Sequence, residues 1–183
     1  MTPQKVTPHK MMPANWLDLI YKDNNPIMIA GAISASVLTA ALLFEHVGGL
    51  VPCKLCLTQR MPHYGIIGLT IFSLMAPSLR RAHQKTWRPV GALLAATTAG
   101  IGLQHVGVEQ GWWQGPQGCS SNLGSTNSLS DLTDNLLSMP VVRCDEVAWS
   151  FLSISMAGWN FIISLALAIF LISASFKLYR ASS

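Results

Sequence analysis

The sequence predicts an all-α integral membrane protein, a four-transmembrane-helix bundle whose two extracytoplasmic loops carry every cysteine. Three observations lead there. Half of the 183 residues are hydrophobic and only 11% are charged, against roughly 25% charged in a soluble domain. Uncharged stretches at 27–44, 61–79, 89–108 and 147–176 run 18, 19, 20 and 30 residues, and one bilayer crossing takes about 20. The basic residues gather on one side of those stretches. This apolar content excludes intrinsic disorder. A net charge of +4 distributed in this way is an orientation signal rather than a nucleic-acid patch, so the partner surface expected is the lipid bilayer and no nucleic acid.

In chain order, a tail at 1–26 carries Lys5, Lys10 and Lys22, and the segment between the second and third stretches carries Arg80, Arg81, Lys85 and Arg88. A tail at 177–183 carries Lys177 and Arg180. These nine basic residues oppose three on the other side, Lys54, Arg60 and Arg143. Short Lys- and Arg-rich loops stay in the cytoplasm, so both termini are expected there, with the multi-pass membrane domain at 27–176. A cleaved signal peptide is a weaker reading of the first stretch, whose apolar run exceeds the usual h-region and follows 26 residues of tail.

The assignment puts a short loop around 45–59 and a long loop at about 107–158 outside. Within the long loop, 120–138 is rich in Ser, Asn, Asp and Leu and reads as mobile. Leu129, Leu132, Leu136 and Leu137 recur there at the spacing of a short amphipathic surface helix. Trp112, Trp113, Trp149 and Trp159 fit the headgroup region as interface anchors. Pro62 is read as a structural residue in the first turns of the second span.

All four cysteines lie in the two outer loops, where disulfides persist. Cys119 and Cys144 flank the mobile stretch, and a stabilising staple is the common fate of such a pair. Cys53 and Cys56 form a C-x-x-C, whose ring is too small for an efficient staple, so redox exchange or metal binding is the better use. Cys56 falls near the start of the second helix, where backbone N–H groups favour a thiolate, and Arg60 projects from the same face one turn on. His46 and His105 close the first and third spans on the outer side, and His63 follows Arg60 by three residues. Interfacial histidines of this kind are usually snorkelling or hydrogen-bonded, with binding or proton transfer the alternative for His105. An all-cysteine zinc site, with His46 or His105 as substitutes, is the competing arrangement, but the adjacent arginine disfavours a cation and no metal is expected. A c-type haem needs histidine after Cys56, where Leu57 stands.

Two adjacent redox pairs make a relay by thiol exchange, and a final acceptor must take two electrons. No G-x-G-x-x-G fingerprint is present. A membrane quinone, ubiquinone or menaquinone, is the economical acceptor at the bilayer surface. Arg60 would support both the Cys56 thiolate and the negative charge developing on the quinone oxygens.

The run Pro52-Cys53-Lys54-Leu55-Cys56-Leu57-Thr58-Gln59-Arg60 resembles the signature of the bacterial disulfide bond formation protein B (DsbB) family. His46 before it, Cys119 and Cys144 after it, and Trp149-Ser150-Phe151-Leu152 beyond the last cysteine follow the family's order. The DsbA–DsbB–quinone system that keeps the bacterial periplasm oxidising is a general property of that family and not a reading of these residues. The resemblance implies a bacterial inner-membrane thiol oxidase with its cysteine loops in the periplasm. It also implies that Cys119 and Cys144 oxidise a periplasmic DsbA-like thioredoxin-fold protein, Cys119 forming the mixed disulfide. Cys53 and Cys56 would then reoxidise that pair, with Cys56 facing the quinone beside Arg60. Two rivals stand beside this reading. A vitamin K epoxide reductase-like quinone reductase shares four spans and a C-x-x-C but carries the motif late in the chain. A non-enzymatic metal-binding or structural membrane protein would use its cysteines only to hold loops.

Overall fold

The computed structural model describes residues 25–116, 119 and 143–180. The expectations for the N-terminal tail, the Leu129 to Leu137 surface helix and most of the Ser-rich stretch fall outside them. The described residues form four long helices: α1 (Asn25–His46), α2 (Lys54–Met75), α3 (Pro77–Glu109) and α4 (Met156–Arg180). Ahead of α4, β1 (Ser150–Phe151) and β2 (Ile154–Ser155) make a small antiparallel hairpin, a departure from the all-α expectation.

Among the described residues, three segments are long and apolar enough to cross a membrane: Pro26–His46, Lys85–Glu109 and Met156–Arg180. The 22-residue α2 starts at Lys54, two residues ahead of the Cys56 expected near its start, and Lys54 to Arg60 form its polar opening turns before the apolar stretch. Pro62 therefore sits in the helix interior, not in its opening turn. The segment carrying Arg80, Arg81, Lys85 and Arg88 is also helical, and only Ala76 separates α2 from α3. Pro77 opens α3 at a position where its missing N–H costs nothing. The backbone leaves helical geometry at His83 (φ −111°, ψ 15°), which sets the basic turns apart from the apolar Lys85–Glu109 segment. Arg88 is buried, and its Nη1 donates to the Ala174 carbonyl of α4 at 3.1 Å, so this cation ties two helices together.

Residues 147–155, the uncharged end of the segment expected as the long outer loop, turn back before α4 begins. Leu152 (φ 53°) and Ser153 (φ 63°) both take the left-handed conformation that a two-residue hairpin turn requires. Aromatic stacking holds the hairpin over the end of the bundle: the Trp149 ring lies 4.7 Å from Phe44 of α1 and 6.1 Å from Phe151.

The helices pack through small residues, as expected where lipid supplies no hydrophobic drive and close approach must do the work. Ala30, Ala92, Ala95 and Ala168 surround Ile27, Ile66, Leu167 and Leu171 in one core. At Gly102 a Cβ would lie 3.1 Å from the Phe161 Cα, so glycine sets the spacing of α3 and α4. Thr70 of α2 donates to the Ile27 carbonyl of α1 at 3.0 Å. Thr70 with Ile27 and Arg88 with Ala174 mark one end of the bundle; the cysteines and the hairpin occupy the other.

Candidate functional site

Cys53 is the N-cap of α2. Its extended backbone (φ −76°, ψ 169°) turns the sulfur back over the first turn, where it accepts the Cys56 N–H at 3.2 Å. A thiol here takes the place usually held by a Ser or Asp oxygen. The helix N-terminus thus serves Cys53 directly, whereas the sequence reading assigned that support to Cys56. The two sulfurs are 2.7 Å apart as free thiols. Burial opposes ionisation of Cys53. The hydrogen bond from the Cys56 thiol, the largest influence, together with His105 and the Cys56 N–H, outweighs it and lowers the Cys53 pKa to about 4.

His105 comes from the last turns of α3 and is buried, with Nε2 3.6 Å from the Cys53 sulfur and 3.8 Å from Glu109 Oε1. Its Nδ1 lies 2.8 Å from the Gln59 amide nitrogen. Glu109 in turn accepts from Ser155 of the hairpin at 2.5 Å.

Cys119 and Cys144 form a disulfide with their Cα atoms 4.9 Å apart. Both are buried, in one cluster with Cys53, Leu55 and Val108, against which Cys56 also packs. The two pairs, separated by more than sixty residues of sequence, are therefore neighbours. Cys53, Cys56 and His105 hold their ligating atoms within 4.8 Å of one another. A tetrahedral zinc with Zn–S bonds of about 2.3 Å would hold two sulfurs about 3.8 Å apart. At 2.7 Å the pair is spaced for sulfur–sulfur bond formation instead.

Beside the thiols opens a cavity of about 540 Å³. Its walls are mainly apolar, with Phe44, Trp149, Phe151 and Trp159 among them, and its polar lining is Glu45, Cys56, Gln59, Arg60, His63, His105, Asn160 and Ser36. Trp149 and Trp159, expected as headgroup anchors, line this cavity, while Trp112 and Trp113 are exposed. The Arg60 Nη1 donates to Glu45 at 2.5 Å, with both side chains largely covered. His46 is exposed, its Nδ1 against the Leu42 carbonyl, and does not line the cavity.

The structure thus brings Cys53, Cys56, Arg60, His105, Cys119 and Cys144 to one end of the bundle. Gln59, quoted in the C-x-x-C run, and His63, named just after it, join Asn160, Thr98 and Ser34, which the sequence reading did not name, in a polar core beneath the site. An amide such as Asn160 in an otherwise apolar span is the signal that marks such a core, because a polar side chain in the membrane needs a partner.

Fold and site together define a helical membrane protein with two adjoining cysteine pairs, built for disulfide chemistry at one end. The family model "Disulfide bond formation protein DsbB" matches residues 24–174, and the chain belongs to this family. Relatives named Disulfide bond formation protein B agree. One from Verminephrobacter eiseniae is 33% identical over 172 residues, covering 89% of this chain and 90% of its own. One from Acidovorax sp. is 29% identical over 167 residues, covering 86% and 89%. One from Shewanella amazonensis is 34% identical over 134 residues, covering 70% and 76%. No solved structure matches the chain.

Proposed function

We propose that this protein is a bacterial inner-membrane thiol oxidase that takes two electrons from a periplasmic thioredoxin-fold dithiol protein and delivers them to a membrane quinone. The observation that carries the proposal is the packing of both cysteine pairs together, Cys53, Cys119 and Cys144 buried and Cys56 against them, beside an apolar cavity with Arg60 and His105 in its lining. In this reading α2 crosses the bilayer as a fourth span, with its charges gathered at the outer end. Both termini are cytoplasmic, and the two cysteine segments face the periplasm.

Each step balances by thiol exchange. The partner's dithiol gives two electrons and two protons and leaves as a disulfide, while Cys119–Cys144 becomes a dithiol. That dithiol reduces a Cys53–Cys56 disulfide and is itself reoxidised. The arrangement with Cys119–Cys144 bonded and Cys53 and Cys56 as thiols matches the stage after this second exchange.

The cavity fits a quinone head: it has aromatic walls, a cation at Arg60 and a thiol at Cys56. A bound quinone would supply the two-electron sink. Glu45 holds the Arg60 guanidinium in place, and the Cys53 thiolate shares the proton of Cys56. Trp149 and Phe151 of the aromatic hairpin segment would form one wall for the quinone ring beside Cys56.

The test is purified protein in lipid with a reduced thioredoxin-fold donor and a soluble ubiquinone or menaquinone analogue. Stoichiometric loss of donor thiols and quinone supports the proposal. Donor oxidation without quinone consumption, or none at all, removes it.

A further inference from the structure

Beneath the thiols, six polar side chains, all buried except the half-buried Asn160, form a continuous hydrogen-bonded chain that draws on all four helices: Ser34, His63, Asn160, Gln59, His105 and, at the end, Cys53. Successive contacts measure 3.2, 3.0, 2.6, 2.8 and 3.6 Å. The direction of this chain is decided by Thr98. Its single hydroxyl proton is given to the backbone carbonyl of Gln59 at 3.0 Å. Toward Asn160, 3.5 Å away, Thr98 can therefore only accept, and the nitrogen of the Asn160 amide must face it. On the opposite side Ser164 donates to the Asn160 oxygen at 3.4 Å, which favours the same orientation.

With Asn160 so oriented, its N–H points to the Gln59 side-chain oxygen. Gln59 must then present its own N–H to His105 Nδ1, which has to accept. A neutral imidazole that accepts at one nitrogen donates at the other. We propose that Thr98, Asn160 and Gln59 are positioning residues that fix the tautomer of His105, keeping its proton on Nε2, where it faces the Cys53 sulfur. Every donor from Ser34 to His105 then points toward that sulfur, and such aligned bonds polarise one another. His105 is consequently a hydrogen-bond donor to a Cys53 thiolate and not a base that removes its proton. No bond forms or breaks in this proposal, which concerns only where one proton resides. The ionisable groups around Cys53 are Cys56 and His105, with Glu109 next to His105.

Its importance for turnover rests on the reading of Cys53 and Cys56 as an electron-transferring pair, but its test does not require turnover. Reduced full-length protein labelled with ¹⁵N-histidine, in lipid nanodiscs, reports the tautomer by NMR, with the His105 signals assigned by their loss in His105→Gln. Wild type is expected to show a protonated Nε2 and a bare Nδ1. Asn160→Asp replaces the donor by a carboxylate that only accepts, so Gln59 reverses and the His105 proton moves to Nδ1. In a Cys56→Ser background the same change raises the pH midpoint of Cys53 alkylation by about one unit, a tenfold loss of thiolate at acidic pH. Thr98→Val keeps the shape and frees the amide, giving mixed tautomers; Thr98→Ser restores one. A proton on Nδ1 in wild type overturns the assignment, as does an Nε2 proton undisturbed in both Asn160→Asp and Thr98→Val. If wild type shows the expected tautomer yet reduces no quinone, the function falls and the positioning role stands.

Discussion

His105 of α3 and Cys53 at the start of α2 meet at 3.6 Å across 52 residues of sequence. This contact joins the thiol pair to the buried polar core, and it couples the chemistry at the surface to the packing of all four helices.

Because hydrogen bonds to the thiolate lower the Cys53 pKa to about 4, the folded reduced protein binds fewer protons than the unfolded chain between that pH and the ordinary thiol range near 9. The contribution to stability is therefore complete above the unfolded value and is lost as pH falls through about 4. His105→Leu removes one donor, so the Cys53 alkylation midpoint should rise by about one unit. Alkylation rates from pH 3 to 9 in the Cys56→Ser background measure it, and an unmoved midpoint contradicts a His105 contribution.

Arg60 and Glu45 hold one another beside the cavity at 2.5 Å. Arg60→Lys keeps the charge but loses the planar fork, and should raise the apparent KM for quinone roughly tenfold while insertion stays normal. Arg60→Ala and Glu45→Ala should couple by about 0.5–3 kcal/mol in a double-mutant cycle. Additive effects and wild-type kinetics would leave Arg60 as a surface anchor.

The buried Cys119–Cys144 disulfide must become reachable for a protein dithiol to attack it. Cys144→Ser removes the resolving thiol and should trap the partner on Cys119 as a mixed disulfide on a non-reducing gel, with partner oxidation abolished. Normal oxidation and no trapped species would show the pair to be a staple.

Helix packing at Gly102 admits a direct check. A side chain there meets the Phe161 backbone, so Gly102→Val should destabilise the protein by about 1–3 kcal/mol. Gly100, with no atom within 4 Å of an added Cβ, is the control. Gly100→Ala should be neutral or stabilising by up to about 1 kcal/mol, as read by unfolding in mild detergent.

The proposed sidedness is checked by reporter fusions. A fusion near Lys85 should remain cytoplasmic and one near Asn127 should be exported. The reverse result would place the thiols on the wrong side for a periplasmic donor.

Much of the site was legible because its chemistry is carried by rare residue types. Four cysteines, a C-x-x-C and an arginine one turn on stand out against an apolar background. Boundaries were less legible. Arg60 lies inside α2 yet interrupts its apolar run, because a charge paired with Glu45 in space looks unpaired in sequence. Likewise the hairpin within 147–155 gives no sign of itself in the sequence, since aromatic residues stacked on one another are as apolar as those facing lipid. Gln59, Thr98 and Asn160 escaped notice as a group. Each is a lone polar residue on a different helix, and no periodicity links them.

The sequence by itself determined that this chain is a membrane protein with two unlike cysteine pairs between its apolar stretches, because hydropathy and cysteine spacing are local properties read along the chain. Only the tertiary structure decided that the two pairs are neighbours, that Cys53 rather than Cys56 receives the helix N-terminus, and that His105 is wired through Gln59 and Asn160 to the middle of the bundle. Those facts depend on how four helices rotate and approach one another. That is set by the fit of small residues such as Gly102 and Ala168 against their neighbours, and not by the chemistry of any single segment.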